Sequence, residues 1–324
     1  MDVLTNIISA MRLSGSVFLE AEFTSPWCVT AMIPREDWSA FFPEAAHIIA
    51  YHYVAEGEFL CALEDQPPVT VRQGQILLLT SNDKHVKGSS LAREGVSARS
   101  LMQPQQDGGL ARIFHGGGGD RSKILCGFFG SVAPTNELLR GLPRLMVIDS
   151  TSGAAAEWLA NSMRFASREA MVRSPALVAQ LAELLLAEAV RQYVAALPEG
   201  QSGWLAGLSD PHVRKTLGLL HSRYSEAWTM ERLAREAGLS RSALADRFAT
   251  HLGEPPIRYL SRHRMKVAAD LLDAGSGPIC SVGYCVGFTS EAAFSRAFKK
   301  EFGLPPGAWR KRGKTDATSP WSSR

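Results

Sequence analysis

The 324-residue chain is 45% hydrophobic and 21% charged, as globular proteins are, and it is too long for one hydrophobic core, so two domains are expected. No apolar run is long enough to span a membrane, and the stretch MDVLTNIISAMRLSG lacks the basic start and small-residue cleavage site of a signal peptide, so a cytoplasmic protein is expected. Residues 1–209 carry 16 Lys and Arg against 21 Asp and Glu (net −5), whereas residues 210–324 carry 19 against 11 (net +8), so the last third is expected to meet a polyanion.

Short apolar runs dominate the first 130 residues, and we predict that they are β-strands. They are rich in β-branched and aromatic residues and are separated by Gly and Pro turn signals. The runs are HIIAYHYV (47–54), GEFLCAL (57–63), PVTVR (68–72) and QILLLT (75–80). The intervals between them are too short for crossover helices, so the strands are expected to pair antiparallel in a sandwich or a small barrel.

Glycine is concentrated in the segment HGGGGD (115–120). A phosphate-binding loop would continue into Gly-Lys-Ser or Gly-Lys-Thr and a helix start, and neither follows here. We therefore predict a flexible loop that does not bind nucleotides.

The five cysteines form no CxxC pair, which argues against a disulfide framework and against a structural zinc site. Most of them are expected to be small buried apolar residues. Cys28, Cys61 and Cys126 fall in strand-like segments, and Cys28 is the candidate for a redox-active thiol. A reactive thiol needs neighbouring cations that lower its pKa, and the sequence shows none nearby.

Helical periodicity begins after about residue 153 and is clearest in SPALVAQLAELLLAEAVRQYVAAL (174–197). Ser174 is placed to cap this helix, with Pro175 at its first position. The apolar face is broader than one packing partner requires, and it contains Leu177, Leu181, Leu184, Leu185 and Val190. This helix is therefore expected to pack on the β domain, on a second copy of the chain, or on both.

The helices after residue 210 are short and have strong start and stop signals. Their predicted N-cap residues are Asp210, Thr229 and Ser240, and their predicted stops are Gly238 and Gly253. Pro256 opens a longer helix, IRYLSRHRMKVAADLLD, which Gly275 to Pro278 ends. A turn at Gly287 then precedes a last amphipathic run.

Two segments in this region share one plan. AGLSRSALADRFATHLGEPP (237–256) and VGFTSEAAFSRAFKKEFGLPP (286–306) each have a glycine turn, a Ser or Thr, an amphipathic run and a closing Gly-x-Pro-Pro. A helix, a turn with a left-handed glycine and a second helix describe a helix-turn-helix motif. Spacing of four places two apolar seams inward: Leu244, Phe248 and Leu252, then Phe294, Phe298 and Phe302. The alternative is two ordinary helical hairpins with solvated outer faces.

Three stretches, RLAREAGLSRSALADRF, GEPPIRYLSRHRMKVAADLL and VGFTSEAAFSRAFKKEFGLPPGAWR, resemble the tandem DNA-binding domain of AraC/XylS-type transcriptional regulators. The resemblance covers roughly residues 210–312. It implies that two recognition helices enter successive major-groove segments of double-stranded promoter DNA, and that the protein is a sequence-specific regulator and not an enzyme. It also implies a homodimer and makes RNA polymerase a candidate partner.

The outer faces of the two recognition helices carry the candidate DNA contacts. The predicted base-reading residues are Arg241, Ser242, Asp246, Glu291, Ala292, Ser295 and Arg296. The predicted phosphate contacts are Arg247, Arg262, Lys299, Lys300 and Arg310. Asp246 stands where the family often has Arg, so it would accept a hydrogen bond from a cytosine amino group or orient Arg247. Gly283 stands where Ala is commoner, which costs about 1 kcal/mol of helix propensity and predicts a looser contact by the second motif.

The first 195 residues resemble the cupin-type regulatory domain that is joined to one branch of these regulators. The motifs are SPW (25–27), EGEF (56–59), QGQILLL followed by NDKH, and HGGGG followed by KILCGFF. The resemblance implies a small β-barrel that binds a small-molecule effector or responds to a stress signal. The predicted fold class is therefore α+β multidomain: an antiparallel β cupin-like barrel with a helical dimerisation segment, then an all-α tandem helix-turn-helix domain. No cofactor is predicted.

A metal-dependent cupin needs several converging ligands, usually including a His-x-His pair. His52 has Ala50 and Val54 two residues away on either side, so that pair is missing. His85 follows a turn and could still face His52, which makes these two histidines candidates for an effector pocket or a metal site. The alternative function is a metal-dependent cupin enzyme with a helical appendage.

Four segments are predicted from these patterns. Residues 1–197 form the regulatory and dimerisation domain, and residues 198–209 form a linker. Residues 210–312 form the DNA-binding domain, and residues 313–324 form a flexible tail.

Overall fold

The computed structural model describes residues 13–39, 47–103, 110–131, 137–150, 175–198, 203–275 and 277–316, and a few isolated positions. The chain divides into two compact units. One unit spans Ile8–Ala196, and the other combines Leu197–Arg324 with Met1–Ile7. The predicted end of the regulatory domain, residue 197, is one residue beyond this division.

The unit Ile8–Ala196 is built mainly of β-strands. The strands are β1 (Ser14–Thr24), β2 (Cys28–Ala31), β3 (His47–Glu56), β4 (Glu58–Leu63), β5 (Val69–Arg72), β6 (Gln75–Leu79), β7 (His85–Gly88), β8 (Val96–Ser97), β9 (Ala111–Gly116), β10 (Arg121–Ser131) and β11 (Leu145–Asp149). Short helices α1 (Arg35–Trp38), α2 (Ala98–Leu101) and α3 (Glu137–Gly141) connect strands, and the longer α4 (Pro175–Ala195) follows them. The strand runs predicted between residues 47 and 80 are confirmed as β3 to β6.

The described strands form two sheets and not one closed barrel. One sheet has the order β11-β6-β3-β10-β1-β9, and the other has the order β5-β4-β7-β2-β8. Most neighbours pair antiparallel, as the short connections predicted. The parallel pairs are β1 with β9 and β2 with β8, each at the edge of its sheet.

The apolar core of this unit draws side chains from both sheets. Leu19, Ala50 and Cys126 come from the six-stranded sheet, and Val29 and Cys61 from the five-stranded one. Because side chains alternate along a strand, every second residue of β3 and of β7 points into this core. This alternation places the polar residues of the candidate sensing site among apolar ones.

Hydrogen bonds to residues 24 and 25 hold the glycine-rich segment, for which we predicted a flexible loop. The backbone N–H groups of Gly117 and Gly119 donate to the carbonyl oxygens of Thr24 and Ser25, at 2.9 and 2.8 Å. Gly118 N–H donates to the Thr24 hydroxyl oxygen at 2.9 Å. These N–H groups already have acceptors within the protein, so they are not free to bind a phosphate.

Helix α4 packs on β1 and β11 of its own unit. Leu181, Leu185 and Val190 of the predicted apolar face are buried, and Leu184 is half-buried. The predicted cap Ser174 and the side chain of Leu177 lie outside the described residues. No helix in the described part of the chain combines the length and the apolar character that crossing a membrane requires.

The C-terminal unit is helical. Its helices are α5 (Trp204–Gly207), α6 (Pro211–Ser222), α7 (Met230–Ala237), α8 (Arg241–Leu252), α9 (Pro256–Asp273), α10 (Ile279–Cys285), α11 (Glu291–Phe302) and α12 (Pro306–Asp316). The predicted caps are confirmed, because the side chains of Asp210, Thr229 and Ser240 accept backbone N–H bonds at the starts of α6, α7 and α8. The predicted stops Gly238 and Gly253 have left-handed backbones.

Helical structure extends beyond the predicted boundaries of this unit on both sides. The predicted linker 198–209 contains α5, whose Leu205 and Ala206 are buried and which contacts α8. Gly203 N–H donates to the carbonyl oxygen of His251 at 2.7 Å, and Trp204 Nε1 donates to the hydroxyl oxygen of Tyr259 at 2.9 Å. The apolar residues of α5 explain the difference, because burying them against α8 stabilises the segment. Helix α12 likewise continues to Asp316, past the predicted start of the tail.

Candidate nucleic-acid interface

The first recognition helix, α8, buries one face and exposes the other. Leu244 and Phe248 are fully buried and Leu252 is half-buried, so the predicted inner seam is confirmed. The base-reading candidates Arg241, Ser242 and Asp246 are exposed on the remaining surface. The Ser240 hydroxyl oxygen accepts from Ala243 N–H at 3.2 Å, which fixes where the helix begins.

The second recognition helix, α11, repeats this arrangement. Phe294 and Phe298 are fully buried and Phe302 is half-buried. Glu291, Ala292 and Arg296 are exposed and Ser295 is half-buried, while Lys299 and Lys300 are exposed further along the helix. The Ser290 hydroxyl oxygen accepts from Ala293 N–H at 3.3 Å. Helix α9 joins the two motifs, and its 18 residues correspond to a rod of about 27 Å.

The arginines of α8 are held by acidic neighbours. Arg241 Nη1 lies 2.6 Å from a carboxylate oxygen of Glu231 on α7. Arg247 Nη1 lies 2.8 Å from Asp210, the residue that caps α6. Asp246 therefore does not orient Arg247, whose carboxylate partner is Asp210.

The basic residues of α11, unlike the arginines of α8, are not paired with carboxylates of the described residues. Within the described ranges, Arg296, Lys299 and Lys300 have no acidic partner within ion-pair distance. All of them are exposed. Their charge is therefore available to an anionic ligand without the loss of an internal ion pair.

The other two phosphate candidates have internal environments of their own. Arg262 contacts Glu254 through Nε at 2.9 Å and Nη2 at 2.5 Å, and its guanidinium lies 5.3 Å from the ring centre of Tyr259. Arg310 buries Nε and Nη2, and neither atom has a hydrogen-bond partner among the described residues. Both residues remain predictions as phosphate contacts.

Gly283 packs closely against the second recognition helix, and the looser DNA contact that we predicted from its low helix propensity stays a prediction. A Cβ atom built at this position would lie 3.1 Å from atoms of the Phe294 ring. The absent side chain lets α10 approach α11 so closely that the ring packs on the backbone. Close packing of the seam offsets the lower helix propensity of glycine.

The unit Ile8–Ala196 contains a buried polar cluster that includes both predicted histidines. His52 Nε2 on β3 and His85 Nε2 on β7 are 3.1 Å apart. Nζ of Lys87, also on β7, lies 3.1 Å from His52 Nδ1 and 3.7 Å from Cys126 Sγ. Cys126 Sγ is itself 2.9 Å from His52 Nδ1. All four residues are buried in the core between the sheets.

Burial keeps both imidazoles of this cluster neutral. It lowers the pKa of His52 well below its usual range, and the nearby Lys87 and His85 lower it further. Burial, again with Lys87, lowers the pKa of His85 to about 3. Burial raises the pKa of the Cys126 thiol, and Lys87 opposes that rise.

This cluster does not fit a metal ion. His52 and His85 provide two nitrogen ligands, but the side-chain nitrogen of Lys87 occupies the space beside them that a metal ion would take. Among the described residues, no group of three or more His, Cys, Asp and Glu side chains is arranged to hold a metal. Zinc sites in proteins normally have at least three protein ligands.

The candidate redox thiol Cys28 is buried on β2, and burial raises its pKa. A raised pKa lowers the thiolate fraction on which reactivity depends. Cys61 and Cys126 are buried too, as predicted for most cysteines, whereas Cys280 is half-buried and Cys285 is exposed.

Lys87, the central residue of the buried cluster, is not among the candidates that the sequence patterns predict. Its position two residues after His85 on one strand was the available signal, since alternate strand residues share a face. A lysine is nevertheless expected at the surface, where most lysines lie. Only the packing of the two sheets around a shared core shows that this face is covered.

Comparison with known proteins identifies both halves of the chain. A family described as Cupin matches residues 2–195, and a family described as Helix-turn-helix domain matches residues 233–312. An AraC-like transcription regulator of Streptomyces antibioticus is 31% identical over 314 residues, covering 96% of this chain and 97% of that protein. The HTH-type transcriptional regulator AlkR of Acinetobacter baylyi is 28% identical over 324 residues, covering 96% and 100%.

Among solved structures, an AraC-type transcriptional regulator from Chromobacterium violaceum matches with 28% identity and a TM-score of 0.31. The match covers 32% of this chain and 94% of that one. The two family matches and the likeness to the Streptomyces regulator over nearly its whole length lead to one conclusion. The chain belongs to the AraC family of transcriptional regulators, with a cupin-type N-terminal domain and a helix-turn-helix C-terminal domain.

Proposed function

We propose that this regulator reads a bipartite promoter site in double-stranded DNA by placing α8 and α11 in successive segments of the major groove. The observation that carries the proposal is the repeated motif. Each recognition helix has a serine cap, a buried apolar seam and an exposed polar face. An exposed face on a firmly packed helix is what major-groove reading requires.

The two helices divide the contacts between base reading and phosphate binding. Residues near the helix starts, which include Arg241 and Arg296, are assigned to base edges. Lys299 and Lys300 are assigned to phosphates, since both are exposed and, among the described residues, have no internal ion pair to give up. Arg247 would contact phosphate only by giving up Asp210.

The input is a small molecule or a stress signal at the unit Ile8–Ala196. The cluster of Lys87, His52 and His85 supports this assignment, because buried polar side chains in an apolar core are costly and often functional. Cys28 remains a second candidate for a signal-responsive group. The relatives are transcriptional regulators, so the alternative of a metal-dependent cupin enzyme is not supported.

The assembly and its place in the cell form part of the same proposal. A homodimer would contribute four recognition helices to one operator, which lengthens the sequence that is read. RNA polymerase is the candidate protein partner, because a promoter-bound regulator lies beside it. A protein that acts on the chromosome belongs in the cytoplasm of a bacterium.

The test begins with genome-wide mapping of the bound DNA, followed by fluorescence-anisotropy titrations on the recovered site and on a scrambled duplex. Arg296→Ala should cost about 1–3 kcal/mol on the recovered site, because one bidentate base contact is worth that much discrimination. It should change binding to the scrambled duplex little. Lys300→Ala is the matched control, and it should weaken both duplexes alike, since a phosphate contact carries no sequence information.

Two outcomes would count against this division of roles. Equal losses on both duplexes for Arg296→Ala would remove that residue from base reading. If the wild-type protein does not prefer the recovered site over the scrambled duplex, the proposal of sequence-specific binding is wrong.

A further inference from the structure

A loop of the first motif and the turn of the second motif meet beside the middle of α9. Arg264 projects from α9 at this point and is half-buried. Its Nε donates to the carbonyl oxygen of Tyr224 at 2.7 Å, and its Nη2 donates to that of Glu226 at 2.6 Å. Both acceptors lie in the loop between α6 and α7, which precedes the first recognition helix.

The second motif touches the same loop through Gly287, the turn residue before α11. Its φ of 85° lies in the left-handed region. A Cβ atom there would clash with the carbonyl oxygen of Ser225 and would lie 2.9 Å from Nη2 of Arg264. The turn therefore fits against the loop and the guanidinium only because residue 287 lacks a side chain.

The loop that receives these contacts is itself stiffened. Arg223 and Arg232 both pair with Glu226, at 2.6 and 2.5 Å, and hydrogen bonds from these arginines lower the pKa of Glu226 to about 2. Their guanidinium carbons lie 4.8 and 4.5 Å from the ring centre of Trp228. A loop with this many side-chain contacts has few conformations available.

We infer that Arg264 is a positioning residue that fixes the orientation of α11 relative to α8, and so sets the spacing of the two DNA segments that the protein reads. The inference rests on the proposed function. If α8 and α11 are held rigidly relative to each other, the protein binds both segments of a bipartite site together, because binding of the second helix is then intramolecular. Without the two hydrogen bonds of Arg264, the motifs would be joined by α9 and by the packing of Tyr224 and Gly287, and they would tolerate other spacings more readily.

The choice of arginine follows from the geometry of its acceptors. The planar guanidinium donates through two nitrogens to two carbonyl oxygens that are two residues apart in the loop. Lysine would retain the positive charge but would offer a single nitrogen. Arg264→Lys therefore removes the two-nitrogen contact with the loop while it conserves the positive charge. The substitution thus distinguishes a positioning role of Arg264 from a purely electrostatic one.

The experiment measures dissociation constants of the full-length protein by fluorescence anisotropy on four duplexes. One carries the mapped site, one carries the same site with one base pair inserted between its two segments, and two carry a single segment each. One inserted base pair rotates the segments by about 35° relative to each other. Wild-type protein should bind the inserted site about tenfold or more weakly than the mapped site, since avidity requires that both contacts fit.

Arg264→Lys should bring the ratio of these two dissociation constants close to one, with single-segment binding within about twofold of wild type. Gly287→Ala should do the same through its clash with Ser225. Gly275→Ala is the matched control, because Gly275 also has a positive φ of 69° but a Cβ atom there meets nothing within 4 Å. Gly275→Ala should keep the wild-type ratio.

Several results would overturn the inference. A wild-type ratio in Arg264→Lys would show that Arg264 does not set the spacing. A parallel loss on the single-segment duplexes would show that Arg264 only maintains the fold. Failure of the proposed function would look different. In that case the wild-type protein itself would show no dependence on spacing or no preference for the mapped site.

Discussion

The first recognition helix, α8, and the second, α11, are both 12 residues long, begin after a serine cap and end at a left-handed glycine. Their seams differ in chemistry, because α8 buries Leu244 and Phe248 whereas α11 buries Phe294 and Phe298. Their surfaces differ more. The arginines of α8 are paired with Glu231 and Asp210, while the basic residues of α11 have no acidic partner among the described residues.

This difference shows that a duplicated motif need not duplicate its electrostatics. A guanidinium held by a carboxylate gains less from a phosphate, since it must give up one partner to meet another. We therefore expect α11 to supply most of the salt-dependent affinity and α8 to contribute mainly to selectivity.

Removing one seam phenylalanine from each motif gives the largest expected effect. Phe248→Ala and Phe298→Ala should each lower the free energy of unfolding of the C-terminal unit by about 3–5 kcal/mol, through lost burial and the cavity that remains. Phe298 should cost more, because its ring lies near those of Phe294, Phe302 and Trp309. Hydrogen exchange of the α9 amides in the full-length protein measures the change.

The exposed Leu304 provides the control for this comparison. Leu304→Ala should change the unfolding free energy by about 0.5 kcal/mol or less. If Phe298→Ala cost no more than this control, α11 would not be held by its aromatic seam.

Salt titration tests the electrostatic difference between the helices directly. The double change Lys299→Ala and Lys300→Ala should reduce the slope of log K against log salt by about 0.9 for each phosphate contact that is lost. The matched double change Arg241→Ala and Arg247→Ala should reduce it by less than half as much, since these arginines are internally neutralised. Equal reductions for the two pairs would show that the ion pairs of α8 open on DNA.

Removing the serine caps should have the smallest effect on stability, and the loss should be the same in both motifs. Ser240→Ala and Ser290→Ala each remove one bond to a backbone N–H, at 3.2 and 3.3 Å, and should each cost about 1 kcal/mol of stability. Ser→Asn at either position keeps a side-chain acceptor and should retain most of the stability that Ser→Ala loses. Thermal denaturation measures the difference. A cost at one cap that is more than twice the cost at the other would contradict equivalent helix starts.

Local features of both units could be predicted from the sequence because they depend on neighbouring residues. Caps, glycine stops and apolar spacing located α6 to α11, and alternating apolar runs located β3 to β6. The exposure of Arg241 and Arg296 followed from the same spacing. Such signals act over a few residues, which is why they are visible without coordinates.

Features that depend on distant pairing could not be predicted in this way. Arg247 pairs with Asp210 across 37 positions of sequence, and Arg264 reaches Tyr224 across 40. Lys87 is buried because the second sheet covers its face of β7, and no pattern near residue 87 indicates that packing. The hydrogen bonds that hold the glycine segment likewise come from Thr24 and Ser25, more than 90 residues earlier.

The attachment of Gly203 and Trp204 to the first motif has a consequence for how a signal would travel. The chain that arrives from the N-terminal half is fastened at the end of α8, through His251, and at Tyr259 on α9. A displacement of that chain acts on the first motif directly, and it reaches the second through α9 and through the contacts that Arg264 and Gly287 make with the loop of the first motif. The N-terminal unit is thus linked to the second motif by way of the first. A small displacement would therefore alter the position of α8 before it altered that of α11.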